Sequence, residues 1–227
     1  MFENLERNKQ SLQSKFYFNY NTSNLNWFRT GGNAKVFIIV ENSNELVKII
    51  KLLKGINYLV IGAGSNFLVR DTGYDGAIIK LGKGFNKLSL EEDSVNAGSS
   101  ILDINLSKFA KKHSIKNFEF LSGIPGTIGG AIKMNAGCFG SETSNILKEI
   151  ICFDRKGKKT KLGKDKINLE YRSSNIKDTS IITTANFNIK YGKNDKINEK
   201  HRFIKKERQT KQPIKEKTSG STFKNPN

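Results

Sequence analysis

Two glycine-dense stretches hold the residues best suited to chemistry. In the first, Leu59-Val60-Ile61 runs directly into Gly62-Ala63-Gly64-Ser65-Asn66. Glycines placed straight after a buried strand let backbone N–H groups approach phosphate oxygens, and Ser and Asn add donors. A dinucleotide fingerprint of the form G-x-G-x-x-G needs glycine where Phe67 stands and a helix behind it. Phe67-Leu68-Val69 reads as strand instead, so that motif is rejected. No G-x-x-x-x-G-K-[ST] occurs, which excludes a P-loop. Taken alone, the stretch reads equally well as an ordinary tight turn. The second stretch is Ser122-Gly123-Ile124-Pro125-Gly126-Thr127-Ile128-Gly129-Gly130-Ala131, followed by Met134-Asn135-Ala136-Gly137. Two such loops, each flanked by apolar strand material, suit an extended diphosphate ligand held between subdomains. Glycines kept for purely structural reasons are the competing reading.

The elements that must position these loops follow from the pattern around them. Ala34–Val40 reads as a strand. Ser43 caps a helix carrying Leu46, Val47, Ile50 and Leu53, with Glu45 in its first turn and Gly55 as terminator. Tyr58-Leu59-Val60-Ile61 then gives a β-α-β opening, and Ala77-Ile78-Ile79 continues as strand after the turn at Asp71-Thr72-Gly73. A second unit holds a strand at Val95-Asn96-Ala97 and a helix over 101–113 with Ile101, Ile104 and Phe109 near one face. Ile150-Ile151-Cys152-Phe153 leads into a hairpin turn at Asp154-Arg155-Lys156-Gly157, and 180–189 supplies a further strand. From Tyr191 to Lys217 the chain is very polar, with a charged helix over 199–209.

The 227 residues suffice for two domains, and 36% hydrophobic content excludes global disorder. The longest apolar runs are strand-sized and none approaches a membrane span; the first residues carry no secretory signal pattern. Cys138 and Cys152 stand far apart without paired His or Cys, so neither a disulfide framework nor a metal site is expected. These features together place the chain as a cytoplasmic protein. The net charge of +18 raises a nucleic-acid reading. The lysines are spread along the whole chain among many Asn and Ile, with no basic stripe, and a phosphate-rich ligand equally suits basic surroundings. No nucleic-acid partner is expected.

Five segments occur in a telling order: Asn26-Trp27-Phe28-Arg29-Thr30-Gly31-Gly32, Gly62-Ala63-Gly64-Ser65-Asn66, Gly123-Ile124-Pro125-Gly126-Thr127-Ile128-Gly129-Gly130, Tyr171-Arg172-Ser173-Ser174, and Gly220-Ser221-Thr222-Phe223-Lys224-Asn225-Pro226. Each is weak alone. In register, across residues 26 to 226, they resemble the UDP-N-acetylenolpyruvoylglucosamine reductase family, in its shorter type II form. The wider group is the α+β, two-subdomain FAD-binding fold of the vanillyl-alcohol-oxidase-like (PCMH) type, and another flavin-dependent oxidase of that fold is the runner-up reading. The resemblance implies FAD-binding subdomains at 1–80 and 81–190, then a linker and the start of an incomplete substrate domain at 191–227. It implies noncovalent FAD, NADPH as reductant, a UDP-sugar substrate, no membrane partner and a monomer.

By the same resemblance, FAD is held by Arg29, Thr30, Gly31, Gly62, Ala63, Gly64, Ser65, Asn66, Gly123, Ile124, Pro125, Gly126, Thr127, Gly129, Gly130 and Ala131. Arg172 is implied to hold the substrate carboxylate, for which a planar guanidinium is suited. Ser221 matches the family's proton donor, and Tyr171, Lys224 and Asn225 fall at the substrate, with Lys211 a weaker candidate. Neither His113 nor His201 is given a catalytic role. By the resemblance the family's further catalytic Glu lies beyond Asn227, so the expectation is a shortened chain that binds FAD and reduces substrate poorly or not at all.

Overall fold

The computed structural model describes residues 2–211. A short helix α1 (Glu3–Asn8) precedes β1 (Lys15–Asn21), β2 (Asn33–Val40), α2 (Ser43–Leu52), β3 (Tyr58–Ile61) and β4 (Tyr74–Leu81). These strands form one sheet in the order β1-β2-β4-β3, with β1 antiparallel to β2 and the other neighbours parallel. The β-α-β opening therefore exists, but its two strands are not adjacent: β4 returns between them. The capping residue is Asn42 rather than Ser43. Its side-chain oxygen accepts the Glu45 N–H at 3.0 Å, and Ser43 is already inside the helix. Phe67-Leu68-Val69, expected as strand, joins no sheet. The backbone next to it turns back on the glycines ahead of β2, with the Gly32 N–H donating to the Arg70 carbonyl at 3.0 Å. Leu68 is left 63% exposed, which a ladder position in a buried sheet does not allow.

Along β2, Val36, Ile38 and Val40 pack with Leu46, Ile49 and Ile50 of α2, while Phe37 and Ile39 point to the opposite face with Ile61, Ile78, Tyr20 and Leu25. Both faces of the sheet are thus apolar, as parallel strands require. The second half runs β5 (Leu88–Leu90), β6 (Ser94–Gly98), α3 (Asp103–Lys112), α4 (Ile128–Lys133), β7 (Gly137–Cys138), β8 (Ser141–Glu142), β9 (Leu147–Phe153), β10 (Lys159–Gly163), β11 (Leu169–Glu170), β12 (Ser173–Ser174), β13 (Ile181–Asn188) and α5 (Asn194–Lys211). Its main sheet is antiparallel throughout, in the order β10-β9-β13-β6-β5. A second core of Leu106, Phe118, Ile132, Ile150, Phe187 and their neighbours fills the space against α3 and α4.

The buried face of α3 differs from the expected one. Ile104 is 38% exposed, while Asp103, Leu106, Ser107 and Ala110 are buried. Two polar residues lie inward here. The Ser107 hydroxyl donates to the Phe118 carbonyl at 2.8 Å, and Asp103 starts the helix under the second glycine loop. The two halves meet along β3: the Tyr58 hydroxyl donates to the Thr179 carbonyl at 2.7 Å and Arg155 donates to the Ile56 carbonyl at 3.0 Å. Phe153 and Ile181 of the second sheet complete the core of the first. Helix α5 buries Ile197 and Ile204.

Candidate functional site

The three loops singled out in the sequence come together at the junction of the two halves. Gly62-Ala63-Gly64-Ser65-Asn66 leaves the end of β3, and its two glycines allow contacts no other residue permits. Gly64 sits at φ +75°, and a Cβ on it would lie 1.7 Å from the Leu25 carbonyl oxygen. The Trp27 N–H donates to the Gly64 carbonyl at 3.3 Å, which joins the first segment to this loop. A Cβ on Gly62 would lie 2.2 Å from the Thr127 hydroxyl, so this loop also abuts the start of α4. From Ser65 the hydroxyl donates to the Pro125 carbonyl.

The first segment is folded on itself. The buried Asn26 amide donates to the carbonyls of Thr22 and Thr30, at 2.9 and 2.8 Å. Thr22 donates to the Gly32 carbonyl at 2.6 Å. Arg29 and Thr30 are exposed on this loop. Gly123 ends a 3-10 turn, and residues 124–127 form an irregular loop that ends in the buried Thr127, the residue before α4, while Ala131 is buried inside the helix. The Gly129 N–H donates to the Ser99 carbonyl at 2.9 Å, and Gly130 is exposed at the helix start. Ile204 of α5 and the Cys138 sulfur crowd Gly123, at 3.1 and 3.0 Å from a Cβ built there.

Buried polar atoms without partners cluster at this junction. Among the described residues they are Asn26 Oδ1, Ser99 Oγ, both carboxyl oxygens of Asp103, and Glu119 Oε1. Each belongs to a residue in, or against, one of the glycine segments. Buried oxygens without partners are costly, so these groups are held at the junction at the expense of stability. Sequence reasoning selected none of these four for the site. Asn26 opens the first segment, and Glu119 stands just ahead of the third. Asp103 was hidden because an acid in an amphipathic helix reads as an outward residue.

Arg172 is held at the edge of this region. It lies at the tip of the β11–β12 hairpin with a left-handed φ of 57°, and its guanidinium donates to the Gly137 carbonyl at 2.9 Å. The guanidinium carbon stands 5.2 Å from the Tyr171 ring centre, and Tyr171 is 48% exposed. Three contacts fix the hairpin to the end of α4: Ser174 donates to the Lys133 carbonyl at 2.7 Å, Asn135 donates to the Glu170 carbonyl at 3.1 Å, and the Lys133 ammonium meets the Ile176 carbonyl. Burial pushes the Cys138 thiol up to about 11, with Arg172 and Arg208 pulling the other way. It is a protonated thiol at neutral pH, 3.2 Å from the Phe120 carbonyl, and not a poised nucleophile. Lys211, the last described residue, pairs with Glu207 at 2.6 Å. Ser221, Lys224 and Asn225 lie outside the described residues. Among the described residues no group of His, Cys, Asp and Glu is arranged to hold a metal. A separate concavity of about 390 Å³, flanked by Tyr20, Phe37, Lys80 and Lys83, is lined by no residue of the three segments, though its Leu25 lies against Gly64.

Comparison with known proteins follows the same lines. Residues 34–163 match the family model described as an FAD binding domain. The chain is 40% identical over 226 residues to a UDP-N-acetylenolpyruvoylglucosamine reductase of Pelagibacter ubique, covering 99% of this chain and 75% of that protein. It is 40% identical over 216 residues to the reductase of the same name from Rickettsia conorii, covering 95% and 73%. A crystal structure of UDP-N-acetylenolpyruvylglucosamine reductase from Thermus caldophilus superposes with a TM-score of 0.82 at 27% identity, over 95% of this chain and 76% of that one.

Proposed function

The chain belongs to the UDP-N-acetylenolpyruvoylglucosamine reductase family, and from that membership we infer that it serves the NADPH-dependent, FAD-mediated reduction of UDP-N-acetylglucosamine enolpyruvate to UDP-N-acetylmuramate in peptidoglycan precursor synthesis. The observation that carries this reading is the meeting of the three glycine segments at the junction of the two halves. An extended diphosphate cofactor fits that cradle, because close backbone approach supplies N–H donors. We assign the contacts to the residues singled out from the sequence. These are Arg29, Thr30 and Gly31 in the first segment, 62–66 in the second, and Gly123, Ile124, Pro125, Gly126, Thr127, Gly129, Gly130 and Ala131 in the third. When bound, FAD supplies the two-electron relay between NADPH and the enolpyruvyl group.

The chain's own residues then bind and orient the substrate. Overall, the enol ether gains hydride at its terminal carbon and a proton at the adjacent carbon, while NADPH becomes NADP⁺. Charge built up on the enolpyruvyl group during hydride addition is best stabilised through its carboxylate, and Arg172 is the cation assigned to it. Its hairpin fixes the guanidinium at the end of α4, the helix that the third glycine segment opens, so the carboxylate site and the cofactor cradle share one support. Tyr171 forms the exposed wall beside it. Ser221 is assigned the proton and Lys224 and Asn225 the substrate's polar groups, on the sequence match alone. We place the protein as a cytoplasmic monomer. In support, both cysteines are free, as a reducing compartment favours, and no described helix is long and apolar enough to cross a membrane.

Adding the enolpyruvyl UDP-sugar to the flavin-loaded protein is expected to perturb the flavin absorption spectrum. In Arg172→Ala the apparent Kd from that titration rises about 10- to 100-fold, the worth of a hydrogen bond to a charged group. Arg172→Lys recovers little of it, since an ammonium does not reproduce the bidentate fork. An unchanged Kd in Arg172→Ala overturns the assignment.

A further inference from the structure

Phe139 stands where local preference would not put an aromatic ring. β7 and β8 are joined by two residues, Phe139 and Gly140, at φ +51° and +75°, the signature of a type I′ hairpin turn. The first position of that turn favours Asn, Asp or Gly, and a bulky side chain is disfavoured there. Burial does not compensate, since Phe139 is 44% exposed. Its ring lies over the third glycine segment, with Cε2 3.3 Å from a Cβ built on Gly123. The ring centre is 5.8 Å from that of Phe203 on α5, which is itself exposed. At the base of the same hairpin the Gly137 carbonyl accepts from the Arg172 guanidinium, which stands beside the exposed Tyr171 ring. The hairpin therefore ties Arg172 to an exposed ring that rests on the third segment. Apolar surface left exposed in this way, beside a cation, is the character of a binding site.

We propose that Phe139 is a further substrate-binding residue, the apolar wall on which the planar enolpyruvyl group rests while Arg172 holds its carboxylate. The proposal rests on the function proposed above. Hydride transfer requires the terminal carbon of the enol ether to lie against the cofactor, so the enolpyruvyl group sits between Arg172 and the third segment. The β7–β8 hairpin spans that interval, with Arg172 bound at its base and its tip on Gly123. The terminal carbon is an apolar CH₂, and an aromatic face suits it because contact removes apolar surface of both from water. A ring is also stiff, so holding it in place costs little side-chain entropy. Packing alone does not call for it. Asn would make the better turn, and Gly123 is already crowded by Cys138 and Ile204, at 3.0 and 3.1 Å from the same built Cβ.

The test is a titration of the flavin-loaded chain with the enolpyruvyl UDP-sugar, followed by flavin absorption, in wild type, Phe139→Asn and Phe139→Tyr. Urea melts and FAD titrations of each accompany it. Phe139→Asn supplies the residue the turn prefers, so its stability is expected to equal or exceed that of wild type. Its FAD affinity is expected to stay within about twofold, as for a change at an exposed position. Its Kd for the UDP-sugar is expected to rise about tenfold, the scale of losing a partly covered aromatic face. Phe139→Tyr keeps that face and is expected to bind the UDP-sugar as wild type does. If Phe139→Asn does not fold, Phe139→Leu, which keeps bulk over Gly123 and drops the flat face, decides by the same titration, with a raised Kd again expected. An unchanged UDP-sugar Kd in the folded variant overturns the proposal. So does a parallel loss of stability and FAD affinity, which makes the ring a packing residue. A wild-type flavin spectrum that does not respond to the UDP-sugar overturns the substrate assignment, and the proposal with it.

Discussion

Arg172 and Asp103 illustrate two ways in which a single residue comes to matter. Arg172 occupies the left-handed region at a hairpin tip, an unfavourable position for a non-glycine residue, and three contacts from its hairpin to the end of α4 compensate. Asp103 is costly in another way, through desolvation without a partner. That cost has a measurable sign in the apo protein. In the unfolded chain an Asp ionises near about 3.9, whereas the folded Asp103 keeps its proton to about 8. The folded state thus binds more protons across that window, and stability is lost as pH rises from about 4 to about 8, then levels. In urea melts, Asp103→Asn is expected to gain stability relative to wild type over that window. A difference that does not change with pH would contradict it. Arg172 was legible in the sequence because Tyr-Arg-Ser-Ser carries a family signature. Asp103 was not, since its burial depends on which face of α3 turns inward, and Ile104 offered the periodicity a more conventional apolar face.

At the scale of elements, α4 is the hinge of the site, although it spans only Ile128–Lys133. Its start closes the third glycine segment, and its end holds the β11–β12 hairpin. Asn135, just beyond it, is fully buried with φ +40°; its amide donates to Glu170 and its oxygen accepts the Ser144 N–H at 3.0 Å. Asn tolerates that backbone conformation better than Ala. Asn135→Ala is expected to cost about 1–3 kcal/mol in urea melts, through the buried groups it leaves unpartnered. It should also weaken the UDP-sugar and leave FAD affinity within about twofold; equal loss of both would contradict the hinge. Other elements were read with mixed success. Strands with continuous apolar runs, such as β2 and β3, were plain. The edge strand β1 was missed because Lys15-Phe16-Tyr17-Phe18-Asn19-Tyr20-Asn21 is only half-buried along its length. The position of β4 between β2 and β3 is a matter of pairing, which no local pattern encodes.

For the whole molecule, the account requires two sheets brought together so that loops distant in sequence face each other. Tyr58 and Arg155 tie β3 to the second half, and Phe153 and Ile181 extend the first core across the boundary. This arrangement places the second segment at one wall and the third at the other. The +18 charge is spread over the surface and favours a phosphate-bearing cofactor and substrate without requiring nucleic acid. The measurement that bears most directly on the central claim is the absorption spectrum of the purified chain, supplied with FAD and freed of excess, before and after denaturation. The account predicts a flavin band that travels with the folded protein and appears as free FAD once it unfolds. A protein that stays colourless after incubation with FAD, while its circular dichroism shows it folded, would contradict it.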